Sequence, residues 1–123
     1  MQFDNLSNQV IGLAIEVHKN LGPGLLESVY EQCLSYELKT NNIHHQCQIE
    51  VPVIYKGHQL NQNYRIDLLI DNQLIIELKA VDKLQGIHQA QLLTYMKLTQ
   101  IKTGLLINFN ESILKNGIKR FVL

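Results

Sequence analysis

Apolar residues recur at helical spacing from about Asn5 to Leu21, at Val10, Ile11, Ala14, Ile15, Val17 and Leu21, and predict an amphipathic helix that Gly22-Pro23-Gly24 stops. A second helix is expected from Leu25 to about Thr40. Its inward stripe would be Leu26, Val29, Tyr30, Cys33 and Leu34, and Asn41-Asn42 gives it a polar exit. From His44 the helical period disappears. Short runs rich in Val, Ile and Tyr predict strands over Gln48 to Tyr55, a Lys56-Gly57 turn, a stretch reaching Ile70, and Leu74 to Val81 after a turn at Asp71-Asn72-Gln73. This middle region reads as an antiparallel meander. Leu84 to Leu98 returns to a helical period, Gly104 to Phe109 is a compact strand, and Lys119 to Leu123 adds an edge strand. The order α-α-β-β-β-α-β(-β), without repeats, predicts an α/β (mixed α+β) domain with helices flanking a central sheet.

Composition narrows the picture. The chain has 123 residues, 46% of them apolar and 18% charged, which fits one globular domain spanning 1–123 and excludes disorder. Eleven basic residues balance eleven acidic ones, so a purely electrostatic nucleic-acid binder is not expected. Cys33 and Cys47 have no metal-ligand spacing and read as buried free thiols. The start of the chain lacks a signal-like pattern and no apolar run is long enough to span a membrane, so a cytoplasmic address without membrane attachment is expected.

The hairpin Tyr64-Arg-Ile-Asp-Leu-Leu-Ile, turn, Leu74-Ile-Ile-Glu-Leu-Lys carries the candidate chemistry. Alternation sorts Ile66, Leu68, Ile70, Leu74, Ile76 and Leu78 to one face and Arg65, Asp67, Glu77 and Lys79 to the other. With a three-residue loop, Asp67 faces Glu77. Two carboxylates opposed in strands this apolar need a cation or a proton between them, and oxygen donors beside a lysine suit Mg²⁺, with Mn²⁺ as a substitute. Read without a ligand, the same residues pair as ions on a solvated face.

Two helical positions matter as well. Glu27, with Gly24 at the N-cap, would be the third helical residue, where a glutamate caps backbone amides. On the later helix Leu84, His88, Gln91, Tyr95 and Leu98 share a face, and polar side chains in mid-stripe need partners. His18, His44, His45 and His58 show no ligand spacing and read as structural or solvent-facing.

Asp67-x9-Glu77-x-Lys79 resembles the core motif of the PD-(D/E)xK nuclease superfamily, with Ile66 where the superfamily's proline stands. Gly24-Leu-Leu-Glu27-Ser-Val-Tyr30 resembles the signature of its GxxExxY branch, and Gln91-Leu-Leu-Thr-Tyr95 the QxxxY element of its RecB-like members. The resemblance implies a restriction-endonuclease-like core and a Mg²⁺-dependent nuclease acting on DNA sooner than RNA. It implies Asp67, Glu77, the Leu78 backbone carbonyl and Glu27 as metal ligands, Lys79 and Gln91 as further catalytic groups, and Tyr95, Tyr30 and His88 as supporting residues. The neutral charge and small size also suit a non-catalytic nucleic-acid or protein-binding module on the same fold, and the site chemistry alone would serve another phosphoester. A homodimer would enlarge a small binding surface and cover an edge strand.

Overall fold

The computed structural model describes residues 3–62 and 64–123. Asp4 starts the first helix, α1 (Asn5–Leu21), by accepting hydrogen bonds from Ser7 N at 3.1 Å and Ser7 Oγ at 2.6 Å, which pairs an amide that the first turn leaves free. Arg120 binds the same carboxylate at 2.8 Å. The second helix, α2 (Glu27–Thr40), begins later than the sequence pattern predicts. Gly24 has φ +99°, a loop conformation and not that of an N-cap, so two more residues pass before the helix starts. Leu26 is the N-cap and is 73% exposed; the buried stripe is Tyr30, Leu34 and Leu38. Glu27 is therefore the first helical residue and not the third, and the capping role expected for it is corrected.

The strands are β1 (His45–Val51), β2 (Ile54–Tyr55), β3 (His58–Gln59), β4 (Tyr64–Ile70), β5 (Leu74–Lys79), β6 (Thr103–Asn108) and β7 (Ile118–Val122). Pro52, which has no amide to donate, follows directly on β1 and ends it earlier than expected. β2 and β3 form a separate ribbon, whose loop Lys56-Gly57 has φ +48° and +82°, as a tight two-residue turn requires. The main sheet runs β1-β4-β5-β6-β7. β5 and β6 are parallel, joined across the third helix, α3 (Gly86–Thr99), and every other neighbouring pair is antiparallel.

Helices cover both faces. Val10, Ala14 and Val17 of α1 and Tyr30, Leu34 and Leu38 of α2 pack on Leu68, Ile70, Leu74, Ile76, Leu78, Leu105 and Ile107. On the other face Leu92, Tyr95 and Met96 of α3 meet Val51, Ile66, Leu69, Ile75 and Leu106. The buried stripe of α3 is thus rotated from the expected one, and Leu98 is 44% exposed. β5, with helices on both sides, is buried from Leu74 to Leu78, which explains its nearly continuous apolar run. Its one polar interruption is Glu77.

Candidate metal and phosphodiester site

The site lies where the sheet divides. Leu68↔Ile76, Leu69↔Ile75 and Ile70↔Leu74 pair β4 with β5, and the loop is the expected three residues, 71–73. One step further the register opposes Asp67 and Glu77, but there the ladder gives way to side chains. Glu77 Oε1 accepts from Asp67 N at 3.1 Å and Asp67 Oδ2 accepts from Leu78 N at 2.8 Å. β4 meanwhile stays paired with β1 as far as Tyr64, and β5 with β6 as far as Lys79. The two carboxyl groups occupy the fork. A residue's N–H and C=O leave a strand on the same side, so the Leu78 carbonyl also faces it.

Crowding two acids here has a cost that shows in their protonation. Glu77 is 3% exposed; burial first, and then the charge of Asp67, push its pKa from 4.5 to about 8. Asp67 is also raised, chiefly by burial, although hydrogen bonds from Leu78 and Gln48 and the charge of Lys79 oppose the rise. Without a cation the pair therefore holds a proton at neutral pH.

Around this pair stand the other groups. Glu27 Oε2 accepts from Ala80 N at 3.2 Å, at the exit of β5, and its charge adds to the upward shift of both acids. Lys79 Nζ donates to Gln91 Oε1 at 3.3 Å, and Gln91 Nε2 donates to Tyr95 Oη at 2.9 Å. Lysine, glutamine and tyrosine thus form a chain from the sheet into α3. A groove of about 370 Å³, lined by Tyr64, Ile87, Gln91, Tyr95 and Leu98 among others, opens beside it. The apolar groove between α1 and α2, lined by Val17, Leu21, Cys33 and Tyr36, involves none of these groups.

Tyr30 is fully buried, stacked on Phe109 with ring centroids 4.4 Å apart, and its hydroxyl donates to Gly22 O at 2.6 Å and accepts from Leu25 N at 3.1 Å. It pins the loop that delivers Glu27. His88 Nδ1 accepts from Gln85 N at 2.9 Å, so His88 closes the start of α3 as a cap. His18 and His45 bind within the fold, to Glu111 O at 2.7 Å and to Ser35 Oγ at 2.7 Å, and His44 and His58 are exposed.

Two expectations need correction. Ile66 does not share the face of Leu68 but packs with the α3-side core, because β1 and β4 turn over together at this point. Cys47 is exposed and Cys33 only partly buried, because Cys47 lies on an edge strand and Cys33 borders the open groove between α1 and α2.

Three further residues matter that the sequence pattern does not single out. Gln48 Nε2 donates both to Glu31 Oε1 and, at 3.3 Å, to Asp67 Oδ1. Glu31 lies one turn beyond Glu27 on α2, a spacing visible in the sequence, and burial raises its pKa. Asn108 is fully buried and clamps Val81, accepting from Val81 N at 3.1 Å and donating to Val81 O at 2.8 Å.

Among the described residues no three His, Cys, Asp or Glu side chains form a ready cage for a metal ion. The donors at the fork are two carboxylates and a carbonyl. That set suits Mg²⁺, which binds through one or two carboxylates and keeps several waters, and a cation there would replace the proton the acids otherwise share.

Comparison with known proteins bears on the fold and the family. The crystal structure of SSO0001 has the same fold: TM-score 0.55 and 24% identity over 94% of this chain and 57% of the other, so the chain spans little more than half of that protein. No protein of curated function matches significantly. The PD-(D/E)XK nuclease superfamily model matches residues 4–121, and the chain belongs to that superfamily. Among the described residues no helix is long and apolar enough to cross a membrane.

Proposed function

We propose that the chain is a Mg²⁺-dependent nuclease of the GxxExxY branch, folded as one unit over 1–123 and cleaving phosphodiesters in DNA sooner than RNA. The observation that carries this reading is the opposed pair Asp67 and Glu77 in the sheet fork, with Lys79 close by on the same strand. Asp67, Glu77, the Leu78 carbonyl and Glu27 would hold the cation. When bound, it supplies Lewis acidity that activates water and neutralises phosphate charge.

The protein's own groups do the rest. Lys79 orients the attacking water and stabilises the charge that grows on phosphorus. Gln91 holds the Lys79 ammonium in place; because the ammonium only donates, it takes the Gln91 oxygen and turns the amide nitrogen to Tyr95, which steadies it. Little water reaches the Glu77 carboxyl group, which is 3% exposed, and this strengthens the electrostatic contacts it makes.

The direct test is cleavage of single-stranded, double-stranded and branched DNA and of RNA with Mg²⁺ or Mn²⁺, wild type against Lys79→Ala. Metal-dependent cleavage that the substitution strongly lowers is expected; equal activity in both proteins overturns the mechanism. The zero net charge favours a second reading, a nuclease-like module that binds nucleic acid or protein without turnover. Binding that survives both chelation and Glu77→Gln, with no cleavage of any substrate, would establish that reading. A homodimer, with the edge strand β7 covered, would give either activity a larger surface; light scattering that finds only monomer removes it.

A further inference from the structure

We propose that Gln48 is a positioning residue: its left-handed backbone and its side-chain amide together fix the Asp67 carboxylate in the orientation that receives the cation, an inference that rests on the metal site proposed above. Gln48 has φ +53° in the interior of β1, a region costly for a residue with a side chain. Pairing does not demand it. The register is continuous on either side, Cys47↔Leu68 and Ile49↔Ile66, so no extra residue is accommodated as in a bulge.

What the conformation does is turn the strand over. Cys47 Sγ lies 3.6 Å from Ser35 Oγ on α2, whereas Ile49 packs with the core beneath α3, although the two residues are of equal parity. At the crossover the Gln48 side chain meets Glu31 and Asp67. Both neighbours are carboxylates and only accept, so the amide must present its nitrogen to them, and it donates to Glu31 Oε1 and Asp67 Oδ1. Since Asp67 Oδ2 already takes the amide of Leu78, both oxygens are held and the carboxylate cannot rotate. Strain kept at one residue and spent on orienting a neighbouring ligand is the pattern expected where function overrides backbone preference.

The test uses the full chain, with Mn²⁺ affinity measured by calorimetry and Tm measured in chelator, for wild type, Gln48→Gly and Gln48→Asn. Glycine accepts the left-handed conformation, so the Tm of Q48G rises by about 2–4 °C while its Mn²⁺ affinity falls about tenfold or more. Asparagine also tolerates this backbone but is too short to span both acids, so Q48N loses affinity without losing Tm, and it answers the question should Q48G fold poorly. A structural role alone would move stability and affinity together. Wild-type affinity in a folded Q48G or Q48N overturns the role of Gln48 and leaves the metal site standing; no Mn²⁺ binding by the wild type overturns both.

Discussion

Asp67 and Glu77 face each other across a gap that their own carboxyl groups fill, the Glu77 side chain capping the Asp67 amide at 3.1 Å. The contact lets two acids share a buried place, and it makes their charge state a matter of pH and cation. Glu77 has a folded pKa of about 8 against an ordinary 4.5. A raised pKa means that the folded state binds more protons than the unfolded chain between these values, so its contribution is fully present below about pH 4.5 and is lost as pH rises through about 8. In chelator, wild-type Tm should fall over this window relative to Glu77→Gln, which has no proton to lose. Adding Mg²⁺ at the upper end should raise the Tm of the wild type and not of the variant. Parallel Tm–pH curves for the two proteins would contradict this.

Lys79 and Gln91 should separate in kinetics. Removing the ammonium by Lys79→Ala is expected to lower kcat by roughly 10²- to 10⁴-fold, the range for a group acting on a proton or a developing charge. Gln91→Ala, which leaves the ammonium present but untethered, should cost about tenfold. Tyr95→Phe should cost less still, since the hydroxyl acts only through Gln91. Single-turnover cleavage with saturating Mg²⁺ measures all three, and a Tyr95→Phe defect as large as that of Lys79→Ala would refute the order.

Tyr30→Phe keeps the ring on Phe109 but strips Gly22 O and Leu25 N of their shared partner. Leaving those groups unpaired should destabilise the protein by about 1–3 kcal/mol. Urea denaturation measures the loss, and cleavage at a temperature where the variant stays folded should also drop, because the released loop carries Glu27.

Asp4 titrates in the opposite sense to Glu77. The Ser7 hydroxyl and amide, with Arg120, hold its pKa at about 2 against an ordinary 3.8. A lowered pKa gives stability that is present above about pH 4 and is lost as pH falls through about 2. Asp4→Ala should therefore cost about 1 kcal/mol at neutral pH, as lost N-caps do, and the gap from wild type should close on acidification. Thermal melts at about pH 7 and about pH 2.5 test this; a gap that stays constant would exclude the linkage.

Much of the fold and of the site could be read from the sequence because each depended on local pattern. The turn at Asp71-Asn72-Gln73 fixes the hairpin register, and that register brings Asp67 to Glu77. Gln91 and Tyr95, one helical turn apart, pair on spacing alone. What alternation does not supply is the reversal of faces at Gln48, since a left-handed glutamine inside a strand looks like any other glutamine. That reversal moves Ile66 to the other core. Leu98 misleads for another reason: helical spacing identifies a stripe, but its rotation is set by which neighbour the helix packs against, whereas Leu26 misleads because α2 starts only after it. His88 lies on a plausible face, yet its position as the third residue of α3 makes it a cap.

The stretch Asn108-Phe109-Asn110 holds no reactive group, yet it touches both the end of β5 and the loop that leads into α2. Asn108 clamps Val81, Phe109 N donates to Lys79 O at 2.8 Å while its ring stacks on Tyr30, and Asn110 Oδ1 accepts from Gly24 N at 3.0 Å. The glutamate delivered by α2 and the lysine delivered by β5 are thus laced to one tripeptide. Amides of Gly24, Val81 and Phe109 should accordingly exchange with solvent deuterium as one cooperative unit, and motion in either half of the cleft should be felt at once in the other.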